Sequence, residues 1–318
     1  MRREDVAIVF PGQGSQYIGM GKDLYDNFEV ARRVFEEVND AINYKLSDLI
    51  FFGDKDELNL TENAQPAVMA CSVAAYKVLA QRNNTSTMSN LCAVTAGHSL
   101  GEYSALCAAG SISLSDTARL LRKRGSAMQS AVPVGQGAMY AMIGIDMNTA
   151  SQIVIEAEKY GICEVANDNC VGQIVISGDI KALEYAISIA ERYGCKRSIK
   201  LQVSAPFHCA LMHPAAKIME DELSKVLILP PDVPIVSNYT ARPNMSQMQI
   251  SHLLVGQIPN VVRWTESIQL IYTMYNTKYF IECGPGATLS GLIKRILMKI
   301  DCINLSCIDD LDNIGKIV

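Results

Sequence analysis

Leu91-Cys92-Ala93-Val94-Thr95-Ala96, then Gly97-His98-Ser99-Leu100-Gly101, then Glu102 to Ala109 ended by Gly110: an apolar strand, a Gly-x-Ser-x-Gly turn and a short helical pattern. In this strand-turn-helix setting the pattern reads as a nucleophile elbow. The glycines matter because the serine occupies a strained turn where a neighbouring Cβ would collide with the helix. The helix N-terminus then points free N–H groups at the reacting oxygen. Ser99 is therefore the candidate nucleophile, with a structural turn serine as the alternative; without its flanks the five-residue pattern is a weak signal. His98, next in sequence, reads as a packed or turn-stabilising residue facing away.

On either side of the elbow, β-branched segments alternate with helical patterns, the signature of an α/β architecture with a largely parallel sheet. Upstream, residues 6–10 are the first strand, and helices are expected over 28–39 and 66–81, where Val68, Cys71, Ala75, Val78 and Leu79 recur at helical spacing. Downstream the order changes. A strand over 138–145 leads to a helix over 147–160 closed by Gly161. Strands over 162–166 and 173–177 flank a turn through Asn167, Asp168, Asn169 and Gly172. A helix over 181–193 closed by Gly194 and a strand over 196–203 complete the segment. This β-α-β-β-α-β order is the ferredoxin-like unit. It is expected as an inserted small domain, residues 135–204, in a large domain made of 1–134 and 205–318. The large domain ends in a strand over 278–283, the turn Gly284-Pro285-Gly286 and a helix over 287–299.

Composition narrows the function classes. With 49% hydrophobic and 19% charged residues in 318, the chain can build a sizeable core, which excludes disorder. Lys plus Arg number 28 against 33 Asp plus Glu, a formal charge of -5, which argues against nucleic acid or an anionic membrane as the main partner. The apolar run 6–10 is stopped at once by Pro11 and Gly12, too short for a secretory segment, and no run reaches the roughly 18 apolar residues of a membrane span. A soluble, cytoplasmic protein is expected. The ten cysteines include no Cys-x-x-Cys pair, and Cys302 and Cys307 lack a histidine cluster, so reduced thiols are expected rather than a metal site.

A serine hydroxyl is a weak nucleophile at its own pKa and needs a base. His208 lies in Ser204-Ala205-Pro206-Phe207-His208, where the chain returns from the insert, and such junction clefts are where sites form. It is the choice; His213 and His252 read as surface or helix-end residues. On the helix expected over 115–131, Leu120, Leu121, Ala127, Met128 and Ala131 share a face at about 100° per residue, and Arg124 falls near its centre. An arginine cannot shed its proton, so this position demands an anion: a buried Asp or Glu, or a substrate carboxylate held bidentately. Phe10-Pro11-Gly12-Gln13-Gly14-Ser15-Gln16 also follows a strand but matches neither a dinucleotide fingerprint nor a Walker A loop. Its exposed backbone N–H groups could instead supply an oxyanion donor.

Together with Thr61-Glu62-Asn63-Ala64-Gln65-Pro66-Ala67, Glu102-Tyr103, Ala205-Pro206-Phe207-His208 and Gly284-Pro285-Gly286, these stretches carry a resemblance. Over essentially its whole length the sequence resembles the malonyl-CoA:acyl carrier protein transacylases of type II fatty acid synthesis. The resemblance implies an α/β-hydrolase-like core with a ferredoxin-like subdomain. It implies Ser99 as nucleophile, His208 as base, Arg124 as binder of the malonyl carboxylate, and the backbone N–H groups of Gln13 and Leu100 as oxyanion hole. A backbone carbonyl from Gln257 would orient the histidine, which accounts for the lack of a triad carboxylate in the expected order. Malonyl-CoA and acyl carrier protein are the implied partners, with no metal or other cofactor and a monomeric state. The Phe207-His208 pair looks like the malonyl-selecting version of its motif; relatives using methylmalonyl tend to carry Ser before the His. Because carrier proteins are acidic, a local basic surface is expected, and Arg122, Lys123, Lys196, Arg197 and Lys200 are candidates beside the plain reading of solvated charges. Three rivals stand: a serine hydrolase, which gives Arg124 no purpose, a non-catalytic carrier-protein binder, and a stand-alone acyltransferase of polyketide synthesis with the same catalytic residues.

Overall fold

The computed structural model describes residues 2–203 and 205–314. Its strands are β1 (Val6–Phe10), β2 (Val94–Gly97), β3 (Gly137–Ile143), β4 (Cys163–Cys170), β5 (Gln173–Asp179), β6 (Arg197–Lys200), β7 (Ile235–Val236), β8 (Pro243–Asn244), β9 (Val262–Arg263), β10 (Tyr279–Cys283) and β11 (Asp301–Leu305). Among the described residues they form two sheets, with helices packed around them in an α/β arrangement.

The first sheet runs β11-β10-β1-β2-β7-β8, parallel except for the β7–β8 pair. β1 is buried along its whole length, as a parallel strand covered on both faces must be. Its register pairs Phe10 with Gly97, so β1 and β2 end side by side. The elbow therefore stands at the carboxyl edge of the sheet, where open α/β sheets form their sites.

The second sheet runs β6-β3-β5-β4-β9. Its first four strands pair antiparallel, and the Met147–Ala157 and Ile180–Ala190 helices pack on them around Ile153, Ile174, Ile176 and Leu183. β9 comes from later in the chain and joins β4 in parallel, Asn167 opposite Val262 and Asp168 opposite Arg263. It leads directly into the Trp264–Met274 helix, and Trp264 shares a buried cluster with Ala7 and Val9 of β1 and Cys170 of β4. The second sheet is thus sewn to the first.

Three elements depart from the sequence reading. β4 continues through Asn167, Asp168 and Asn169, where a turn was expected; two register shifts absorb the extra residues, and the turn itself is Val171-Gly172. These polar side chains have partners across the fold: Thr265 Oγ1 donates to Asp168 Oδ1 at 2.7 Å, and Asn169 Oδ1 bonds His98 Nε2 at 2.8 Å. β6 is shorter than the 196–203 expected. The helix expected from 66 begins at Thr61 and carries Pro66 inside it. Proline has no N–H for the Glu62 carbonyl one turn back, and Arg122 Nη1 donates to that carbonyl instead, at 3.2 Å. The expected boundary residue 204 and the last stretch of the expected large domain, 315–318, lie outside the described residues.

The Leu114–Ser130 helix is capped by Ser113, which accepts from the Asp116 amide. It lies against the Thr61–Arg82 helix so closely that a Cβ on Gly125 would stand 2.5 Å from the Thr61 carbonyl oxygen. That approach carries Arg124 to the elbow.

Candidate active site

Ser99 caps the Leu100–Ala108 helix with φ of 53° and ψ of -108°, a conformation L-residues rarely hold. Its flanking glycines show why. A Cβ on Gly97 would lie 1.9 Å from the Gly101 carbonyl oxygen, and one on Gly101 would lie 2.2 Å from the Phe10 carbonyl oxygen. The turn is pressed between its own helix and the end of β1, which pushes the serine side chain outward.

His208 reaches Ser99 from the far side of the cleft: its Nε2 is 2.8 Å from Ser99 Oγ. Its Nδ1 is 3.0 Å from the backbone carbonyl of Gln257. A carbonyl only accepts, so Nδ1 carries the proton and Nε2 is left to accept from the serine hydroxyl. Burial, and then the positive charge of Arg124, push the His208 pKa down to about 3. The imidazole is neutral at neutral pH and available as a base.

Arg124 is 1% exposed. Its Nη1 donates to Gln65 Oε1 at 2.8 Å, and its Nη2 donates to Gln257 Oε1 at 2.8 Å and to Ser99 Oγ at 3.0 Å. The guanidinium lies 5.6 Å from the centre of the Tyr103 ring. Among the described residues it forms no ion pair, and its Nε has no acceptor. Of the two anions considered from sequence, the protein's own carboxylate is not in contact.

Gln13 and Leu100 line the same cleft of about 480 Å³, together with Ser99, Arg124 and His208. Leu100 opens its helix, so its amide lies outside the intrahelical pattern. Gly12 passes close over the elbow, where a Cβ would come within 2.7 Å of the His98 carbonyl oxygen. The opposite wall comes from Met139 of β3 and from Leu201, Val203 and Phe207. The six residues singled out from sequence therefore meet in one place: Ser99, His208, Arg124, Gln13 and Leu100 around the cleft, and Gln257 buried behind it.

Other expectations sort differently. His98 packs edge-on to Trp264 at 5.5 Å and bonds Asn169, yet it also forms part of the cleft wall. His213 and His252 are exposed. Arg122 is engaged with Glu62, Asn63 and Tyr44, while Lys123, Lys196, Arg197 and Lys200 are exposed. The cysteines are free thiols. Among the described residues no helix is long and apolar enough to cross a membrane, and no group of three His, Cys, Asp or Glu could hold a metal.

Sequence reasoning missed the layer beneath the cleft. The Gln257 side chain is fully buried and bonds Arg124, the Ser99 carbonyl and Glu102. Asn238 accepts from the Ser99 amide at 2.7 Å and donates to the Gly97 carbonyl at 2.8 Å. Glu102, 2% exposed, accepts from the Asn238 amide, and burial raises its pKa to about 7. The signals available were Gln65 and Glu102, both inside the quoted motifs, and Gln257, read for its backbone carbonyl alone.

An α/β sheet with a serine elbow, a carbonyl-held histidine and a buried arginine defines a class of serine-dependent acyl-handling proteins. Residues 7–306 match the acyl transferase domain family. A malonyl CoA-acyl carrier protein transacylase of Bacillus subtilis is 44% identical over 95% of this chain and 93% of its own length. An acyl-carrier-protein-S-malonyltransferase of Bartonella henselae superposes with a TM-score of 0.93 at 47% identity, over 98% of each chain. A malonyl-transacylase solved in complex with a type II PKS acyl-carrier protein gives 0.92 at 39% identity, over 97% of this chain and 98% of that one. This chain belongs to the acyl transferase family, among its malonyl CoA-acyl carrier protein transacylases.

Proposed function

We propose that the protein moves malonyl groups from CoA to the phosphopantetheine thiol of an acyl carrier protein through an acyl-serine intermediate. One observation carries the reading: a buried guanidinium without a carboxylate partner stands 3.0 Å from the oxygen of a serine that is itself bonded to a neutral histidine. An acyl group ending in a carboxylate supplies the missing anion and brings its thioester to Ser99.

In the first half-reaction Ser99 Oγ attacks the thioester carbon while His208 Nε2 takes the hydroxyl proton. The oxyanion that forms sits on the Gln13 and Leu100 amides. The carbon–sulfur bond then breaks, and CoA leaves as a thiol with the proton from His208. The carrier thiol attacks the malonyl-serine by the same steps reversed. No metal or other cofactor enters this scheme. Arg124 holds the malonyl carboxylate throughout and disfavours acyl groups that would leave it unpaired.

The finer fold description belongs to the same reading. A β6-β3-β5-β4 order with two packed helices supports a ferredoxin-like insert over 135–204, and the parallel first sheet with its elbow supports an α/β-hydrolase-like remainder. A cytoplasmic monomer meeting an acidic carrier protein completes it, with Lys123, Lys196, Arg197 and Lys200 exposed for contact.

The test is the intact mass of the protein after brief exposure to malonyl-CoA, with acetyl-CoA and Ser99→Ala in parallel. A malonyl adduct on the wild type alone, discharged by fatty acid or polyketide acyl carrier protein, is expected, and the better carrier names the pathway. Free malonate without adduct or transfer would make the protein a hydrolase; no reaction would make it a binder.

A further inference from the structure

We propose that Glu102 is a positioning residue for acyl selection: by accepting the side-chain amide of Gln257 it fixes that amide with its oxygen toward Arg124. The inference rests on the reading of Arg124 as the carboxylate clamp and deepens it. Glu102 lies in the first turn of the Leu100–Ala108 helix, buried, and takes no part in the steps above.

A glutamine amide has a donating end and an accepting end, and only its neighbours decide which way it points. The Nε2 end of Gln257 meets acceptors alone: Glu102 Oε2 at 2.8 Å, the Ser99 carbonyl at 3.0 Å and Asn238 Oδ1 at 3.4 Å. Oε1 is thereby turned to Arg124 Nη2, 2.8 Å away. Asn238 is held the right way round by the Gly97 carbonyl and the Ser99 amide, and its own backbone N–H donates to Glu102 Oε2 at 2.9 Å. Both N–H bonds fall on one carboxyl oxygen, so the acceptor persists when the other oxygen is protonated.

Turned half a revolution, Gln257 would set its NH2 against the guanidinium, donor against donor, and displace Arg124 from its place beside Ser99. The backbone carbonyl of Gln257 holds His208 regardless of that rotation. Selection of a carboxylate-bearing acyl group is therefore separable from the reactivity of the Ser99–His208 pair, and Glu102 governs the first.

Glu102→Leu removes the acceptor, and Glu102→Gln keeps a neutral one. The readouts are KM and kcat for malonyl-CoA and the rate of Ser99 acylation by p-nitrophenyl acetate, an uncharged donor. Glu102→Leu is expected to raise the malonyl-CoA KM about tenfold while p-nitrophenyl acetate changes less than about threefold. Glu102→Gln returns the malonyl-CoA KM to within about threefold of wild type. In a Gln257→Leu background, Glu102→Leu adds nothing further to the malonyl-CoA KM. If Glu102→Leu does not fold by thermal unfolding, Glu102→Met carries the same test. Equal losses with both donors, additive losses in the double variant, or no change in selectivity would overturn the proposal. A wild-type protein that takes no malonyl group would instead overturn the reading of the site.

Discussion

Arg122 and Arg124 stand two residues apart on one helix, and their surroundings are opposite in kind. Arg122 donates to the Glu62 carbonyl and to Asn63 Oδ1, lies 3.9 Å from Glu62 Oε1 and stacks 5.2 Å from the Tyr44 ring centre. The protein answers its charge. Arg124 is far more buried yet meets only neutral oxygens, from Gln65, Gln257 and Ser99. Burial lowers its pKa, but a guanidinium keeps its proton, so the cost of burying the charge remains in the folded protein. A fully partnered arginine joins two helices; an under-partnered one beside a serine fits the proposed role of binding the acyl carboxylate.

The sharpest way to break this contrast is Arg124→Ala. It is expected to lower kcat/KM for malonyl-CoA about 10²- to 10³-fold in a carrier-protein transfer assay, and undiminished turnover would put Arg124 with Arg122 as a structural residue. Next in size is Gly125→Ala. Its Cβ would collide with the Thr61–Glu62 backbone and spoil the approach that serves both arginines. A net loss of about 2 kcal/mol in urea unfolding is expected, despite the better helix propensity of alanine. Arg122→Ala leaves the Glu62 carbonyl without its donor and should cost about 1 kcal/mol of stability, with kcat/KM within about twofold of wild type.

The smallest effect concerns pH. Burial and Arg124 hold the folded His208 below its ordinary value of 6.5. Below that value the unfolded chain takes up a proton the folded one refuses, so stability falls as pH drops from about 6.5 toward 3. Removing the Arg124 charge moves the folded pKa upward. Arg124→Ala should therefore lose less stability than wild type between pH 7 and pH 5, and the acid limb of its residual acylation rate should shift to higher pH. An unmoved limb would mean that Arg124 does not influence His208.

The face of Arg124 was legible because a helix repeats its geometry, and Ser99 because its glycines, strand and helix are contiguous. What decides the surroundings of both is not contiguous. Glu102, Asn238 and Gln257 come from three separate segments, and no local spacing announces that their side chains interlock beneath Ser99. Pro66 misled the reading of its helix because the partner that satisfies the freed carbonyl, Arg122, lies on another helix. Asn167, Asp168 and Asn169 looked like turn residues because their strand bonds and side-chain partners come from β9, His98 and Thr265.

The seam made by β9 has a mechanical meaning. An inserted unit tied only where the chain enters and leaves can swing as a hinge, and a cleft against it opens and shuts. Here a strand from later in the chain is hydrogen-bonded into the second sheet, and Trp264, which follows it, is buried with residues of β1 in the first. The two walls are joined like a caliper with its jaws pinned, and a swing of one sheet on the other would have to break these strand bonds first.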